Sequence, residues 1–243
     1  MKKLICILLL AIMLLGLAAC DKPEVDPGPH VPDSDTVFDP DTFVLYSTVA
    51  EVFERENVTI KYPQMEGLFD KSLQEDMNSR LQYFALSVLE AYEDSLGALT
   101  LEVDYEVTRS TGNLLSVVFR GLAYVEGAAH PNNIVYTVNI DIQVGIEVVL
   151  ADMVILGDEF IEIFRAYGKT EFPEADEYVK ENDNEYFMKE FRSADSFWLT
   201  DTYSYYTEDA MVICFSVPQA IGGYAEFRIN YEHLDGVIND WRM

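Results

Sequence analysis

Residues 121–154, GLAYVEGAAHPNNIVYTVNIDIQVGIEVVLADMV, constrain the fold more than any other stretch. They read as two long strands joined by the corner Gly127-Ala-Ala-His-Pro-Asn-Asn133. A second glycine turn at Val144-Gly145 and a short apolar segment over 146–150 follow. Over 134–143 the side chains alternate, with Val135, Thr137, Asn139 and Asp141 facing one way and Tyr136, Val138, Ile140 and Ile142 the other. A period of two is strand chemistry. Immediately upstream, Leu101, Val103, Tyr105 and Val107 also alternate, and Thr111-Gly-Asn113 turns the chain into a partner strand over 114–125. That pattern predicts an antiparallel hairpin continuing into the corner.

Other elements fall around this meander. Two extended runs, 44–53 and 58–62, are parted by Glu54-Arg-Glu-Asn57, and Tyr62-Pro63 is expected to break the ladder. From Asp70 to Leu96 the period becomes helical: Leu73, Met77, Leu81, Phe84, Val88 and Tyr92 recur at three and four. Asp70 suits an N-cap and Gly97 a stop. Helices are expected over 158–167 and 175–191, a tyrosine-rich turn over 203–206, strands over 210–217 and 225–231, and a short helix over 234–238. The fold class is therefore α+β: an antiparallel meander sheet packed by one long helix, over 43–155, followed by a second, smaller α+β part over 156–243.

The N-terminus has a different texture. Lys2 and Lys3 precede an apolar run over 4–17 that closes on Leu17-Ala-Ala-Cys20. A basic start, short apolar centre and small residues before the cut predict a secretory signal over 1–20 and not a permanent span. The Leu-Ala-Ala-Cys ending resembles a bacterial lipobox, which would place the lipidation site at Cys20 and the chain outside the cytoplasm, on the cell membrane. Residues 21–42 hold five of the nine prolines among acids, a stiff acidic tether. Asp33, Asp35, Asp39 and Asp41 lack the glycine and final glutamate of a calcium loop.

The formal charge is −27, and loss of the leader removes two lysines and no acids. Such a balance argues against nucleic acid and anionic head groups, which need a basic face. It favours cations, basic proteins or basic peptides, and it serves solubility equally well. After Cys6 and Cys20 only Cys214 remains, alternating with Val212 and Ser216 as a buried strand residue would, so the fold has no internal disulfide to lean on.

No catalytic device is legible. The sequence has no Gly-x-Ser-x-Gly, His-Glu-x-x-His, Cys-x-x-Cys or phosphate-cradling glycine loop. Its histidines are His30 in the tether, His130 in the corner and His233 near the end. His130 has poor chemical company, and paired carboxylates mean little among 43 acids. The expectation is a chain that is not an enzyme and holds no cofactor or metal.

Several segments together resemble a family of bacterial extracytoplasmic domains of largely unassigned function. They are Ile60-Lys-Tyr-Pro-Gln64, Met77-Asn78, Gly127-Ala-Ala-His-Pro131, Tyr136-Thr-Val-Asn-Ile-Asp141, Phe197-Trp-Leu-Thr200, Met211 to Pro218, Gly223-Tyr224 and Ile229-Asn-Tyr231. That family includes the external domain of the lysozyme-sensing anti-sigma-V factor and the N-terminal module of a peptidoglycan deacetylase. The resemblance implies a two-part α+β domain that binds something at the envelope, including a basic protein such as lysozyme. The alternative is a peptidoglycan- or glycan-binding module using exposed Tyr203, Tyr205, Tyr206 or Trp198, and a third reading is a passive surface lipoprotein. In either binding reading, the corner at His130 and the turn carrying Pro218, Gln219, Ile221 and Tyr224 are the expected binding loops, because both hang from long strands.

Overall fold

The computed structural model describes residues 45–196 and 201–239; the leader, Cys20, the tether, His30 and the segment carrying Trp198 lie outside the described residues. The α+β class is as expected. The first two strands, β1 (Ser47–Arg55) and β2 (Val58–Glu66), form a hairpin closed across Glu56 and Asn57. Pro63 does not break it: β2 runs on to Glu66, with Pro63 opposite Ala50. A two-residue turn makes Arg55 and Val58 the closing bonded pair, and alternation then leaves Ala50 and Pro63 in a pair that exchanges no hydrogen bonds. A missing N–H costs nothing there.

Helix α1 (Lys71–Ser87) starts where the pattern requires, with the Asp70 carboxylate accepting from the Leu73 N–H at 3.0 Å. It buries Met77, Leu81 and Ala85. The single helix expected to reach Leu96 instead tightens into 3-10 turns over Val88–Ala98, with Tyr92 outside helical geometry. The Ser87 hydroxyl donates to the Phe84 carbonyl at 2.7 Å, a side-chain bond that competes with the α ladder at that point.

The helix delivers the chain to β3 (Leu99–Ser110), which runs parallel to β2 with Val58 opposite Leu101. The sheet is therefore mixed, not a pure antiparallel meander, because a helical crossover returns the chain to the same end. From β3 the meander is as read: β4 (Leu114–Val125), β5 (Asn132–Asp141) and β6 (Ile146–Glu147) follow antiparallel, in the spatial order β1 to β6. Gly121 lets β4 lie close on β3, since a Cβ there would sit 2.5 Å from the Glu102 carbonyl oxygen and 2.7 Å from Val103 Cγ2. Gly145 turns β5 into β6 with a φ of 69°.

Short α2 (Leu150–Met153) and α3 (Asp158–Tyr167) lead to two further helices, α4 (Pro173–Glu181) and α5 (Asn184–Ser193). These replace the single helix expected over 175–191. The break is built from side chains: Asp183 caps α5 by accepting from the Tyr186 N–H, and Arg165 takes the Val179 and Asn182 carbonyls left open at the end of α4. A second sheet follows, β7 (Tyr203–Tyr206), β8 (Ala210–Ser216) and β9 (Tyr224–Asn230). The expected tyrosine turn is thus a strand, buried along its length. The expected helix over 234–238 is replaced by one 3-10 turn, Tyr231–His233, and Gly236 at φ 83° bends the chain away.

Two apolar clusters result. One lies between α1 and the inner face of β1–β5, where Phe119 and Tyr136 stack and the Tyr136 hydroxyl donates to the Ala85 carbonyl, and it continues on the outer side through Val118, Tyr203, Tyr205, Val212 and Cys214. The other is aromatic, with Phe164 touching Phe187, Phe191, Phe215 and Phe227 between α3, α5 and the second sheet. Cys214 is wholly buried in the first cluster, the small-hydrophobe role its alternation suggests. The second sheet covers the outer face of β4 and β5 from Ser116 and Asn139 to Arg120. There Ser116, Asn139 and Ser204 are linked by hydrogen bonds, the Asn139 amide donating to the Ser204 carbonyl at 2.9 Å.

Candidate functional site

Where β7–β9 stop covering β5, a cleft of about 270 Å³ opens along the side of β5 that no long strand pairs. Its floor is the run 133–136. One wall is the 3-10 segment, through Val88, Ala91 and Tyr92; the other is Asp201, Tyr203 and the β8–β9 turn, through Ser216, Gln219, Gly223 and Tyr224. The turn is tied to the floor. The Asn133 amide donates to the Gly222 carbonyl at 2.8 Å, and the Gln219 amide reaches the Asn132 side-chain oxygen at 3.4 Å. Among the described residues Asp201 is the one acid of the lining, and no lysine, arginine or histidine contributes to it.

The two expected loops therefore meet, but not through all the expected residues. Gln219 and Tyr224 line the cleft. Pro218 is exposed at the start of the turn, where its carbonyl accepts from the Ile221 N–H, and Ile221 leans on the aromatic cluster. His130 is exposed at the corner with Nδ1 3.1 Å from the Pro131 carbonyl oxygen, and it does not line the cleft. Tyr203, Tyr205 and Tyr206 are not exposed platforms: each is buried, because alternate residues of β7 face the two clusters. Asn133, Val135, Tyr92 and Asp201 also line the cleft, and nothing in their local sequence marks them as a site.

Behind Tyr224 stands a charged joint between the sheets. Arg120 of β4 meets Glu226 of β9 through Nε and Nη2, and Tyr205 donates to the same carboxylate at 2.6 Å. Burial opposes the arginine's charge, yet the paired bonds from Glu226 outweigh it and hold the guanidinium more firmly protonated than usual. A second joint is Asp195, at φ 65°, whose carboxylate accepts from the Leu150 and Ser204 N–H groups and from the Thr137 and Ser204 hydroxyls. The residue keeps some exposed area, but its carboxylate is enclosed, and burial pushes it up to about 6 against those four bonds.

Beyond the Gly222 turn the outer face of the first sheet is open. The register draws a row across five strands, Glu54, Thr59, Glu102, Leu122 and Asn133. Neighbouring rows carry Val52 opposite Lys61 and Thr100 opposite Tyr124. Val52 is 47% exposed, Leu122 47% and Tyr124 39%. Lys61 is bonded to Asp104 at 2.6 Å. Among the described residues no group of three or more His, Cys, Asp or Glu could hold a metal ion, and no helix is long and apolar enough to cross a membrane.

Residues 49–133 match the protein-family model described as "Deacetylase PdaC", which covers β1 through the corner. The resemblance seen in the sequence is thus supported over that stretch. Two solved structures of the DUF3298 family are similar to the chain. One, from Pseudomonas aeruginosa, is 14% identical with a TM-score of 0.51, over 83% of this chain and 97% of its own. The other, from Bacteroides fragilis, is 17% identical with a TM-score of 0.48, over 80% and 92%. At such identity the Pseudomonas structure speaks to the fold alone. No curated protein sequence matches the chain.

Proposed function

We propose that this chain is a non-catalytic binding domain, tethered outside the cell through lipidated Cys20, that captures a basic protein on the open face of its first sheet. The observation that carries this reading is exposed Leu122 and Tyr124 side by side on β4, with Val52 on the same face of β1 and Glu54 and Glu102 in the row of Leu122. Apolar side chains grouped on an uncovered sheet face mark an interaction surface. Acids around them steer a cationic partner in and reject an anionic one. A net charge of −27 acts in the same direction. The lysozyme-sensing relative named from sequence makes lysozyme the first probe.

A second reading rests on the cleft. Tyr92, Tyr203 and Tyr224 beside the amides of Asn133 and Gln219 are groups that suit a sugar. One experiment separates the readings: residues 39–243, one compact unit, are tested on immobilised lysozyme and on purified peptidoglycan at low and high salt. Screening shortens from about 10 Å at 0.1 M to about 3 Å at 1 M, so capture through charge fades over that range. Lysozyme capture that fades with salt supports the first reading. Salt-resistant retention on peptidoglycan alone replaces it with the second, and binding to neither leaves a passive surface lipoprotein.

A further inference from the structure

The floor of the cleft is the edge of β5. The Val148 N–H donates to the Asn139 carbonyl, so that carbonyl points away from β4, toward the open side of β5. Both main-chain polar groups of a strand residue point to the same side, and sides alternate along the strand. The N–H and C=O of Thr137, Val135 and Asn133 therefore point to the open side as well. Among the described residues no hydrogen bond to the Val135 main chain from that side is found. Exposed edges of this kind are usually blunted by charge, proline or cover. Here a charge-free run, Asn133-Ile-Val-Tyr136, lies at the bottom of a walled groove instead.

The chain already uses this edge once. β6 pairs with Ile140 and Asp141, then leaves the sheet after Glu147. The part of the edge that lines the cleft, from Asn133 to Tyr136, is about 14 Å long at roughly 3.4 Å per residue. Alternate side chains of a segment of that length would face the Val88 and Ala91 wall on one side and Asp201 with the β8–β9 turn on the other. Among the described residues the lining offers one carboxylate and no cation. The wall segment adds exposed Glu90, Glu93 and Asp94 beside Ala91 and Tyr92, so the groove's charge selects a basic occupant.

We propose that the open edge of β5 takes an extended basic peptide as an added antiparallel strand, continuing the line of β6, with a cationic side chain directed to Asp201. Main-chain bonds to Val135 would supply affinity and the two walls would read alternate side chains, as in other strand-addition sites. This rests on the chain being a binding domain, but not on the open sheet face.

The test uses a capped Val-Lys-Val-Lys-Val peptide, the same peptide N-methylated at alternate residues, its Val-Glu counterpart and an N-acetylglucosamine tetramer. Binding is followed by amide chemical shifts and hydrogen exchange. The lysine peptide is expected to bind and to slow exchange at Val135, with the N-methylated and glutamate peptides weaker by about tenfold or more, a loss of one or two main-chain or charged contacts. Val135→Pro removes the N–H aimed into the groove and leaves the β4 ladder intact, so it should abolish binding at unchanged secondary structure. Should that variant fail to fold, Asp201→Asn and the N-methylated peptide decide. Equal binding of the N-methylated peptide, an unaffected Val135 amide, or binding of the sugar alone would overturn the proposal. Lysozyme capture that persists while all peptides fail would sink strand addition and leave the sheet-face reading standing.

Discussion

Arg120 and Glu226, 106 residues apart and on different sheets, meet as a two-pronged pair, Nε to Oε1 at 2.8 Å and Nη2 to Oε2 at 3.0 Å. Arg120 also binds Glu106 and lies over the Tyr205 ring, so one guanidinium joins β3, β4, β7 and β9. Removing one partner strands the other's charge. Arg120→Met is expected to destabilise the fold by about 2 kcal/mol, discounted for the side chains' partial exposure. Glu226→Gln should cost less, and the double variant less than the sum. Urea unfolding of the four proteins measures this; strict additivity would mean that the pair is not coupled.

Asp195 makes stability depend on pH. Its folded-state pKa stands at about 6 against an ordinary 3.8, chiefly through burial. The folded state therefore holds the proton more tightly than the unfolded chain. The group's contribution is complete below pH 3.8 and is lost as pH rises through about 6, a swing of at most about 3 kcal/mol. Asp195→Asn keeps the left-handed backbone and abolishes the titration. The stability difference between wild type and variant should accordingly shift in favour of wild type as pH falls from 7 to 4. A difference that stays flat would mean the carboxylate titrates normally.

Gly121→Ala tests the close approach of β3 and β4. The added methyl meets a backbone oxygen at 2.5 Å, which cannot rotate away. A loss of about 2–3 kcal/mol is expected in thermal or denaturant unfolding. A neutral variant would show that the strands can part.

Leu122→Ser with Tyr124→Ser removes apolar area that folding leaves exposed. Stability should change by roughly 0.5 kcal/mol or less. Capture of lysozyme should fall by about tenfold or more if the open face is the docking surface. Undiminished capture by the folded double variant would exclude that face.

Local signals account for what was legible. The Asp70 cap, the helical period through Leu81, the Thr111-Gly-Asn113 turn and the alternation of β5 all rest on neighbours within a few residues, and all hold. Tyr203–Tyr206 misleads because a strand buried on both faces shows no alternation of polarity, while its composition resembles a turn. The split between α4 and α5 depends on Arg165, a residue 17 positions before the Asn182 carbonyl it satisfies. The same holds for the cleft. Gln219 and Tyr224 stand out as loop residues, but Tyr92, Val135 and Asp201 become neighbours only when the 3-10 segment and the second sheet close on β5.

The parallel pairing of β2 with β3 has a kinetic consequence. The hairpins β3–β4 and β4–β5 close over turns of a few residues, whereas joining Ile60 to Val103 requires the whole intervening helical crossover to be gathered first. Loop closure must precede the contacts that reward it, so we predict that the meander nucleates folding and the β1–β2 hairpin docks after the barrier. Val117→Ala should then slow refolding, while Ile60→Val should leave that rate nearly unchanged and hasten unfolding in stopped-flow experiments. The first strands to leave the ribosome would thus wait as a hairpin, and the edge of β2 over Val58 to Ile60 would spend that interval without its β3 partner.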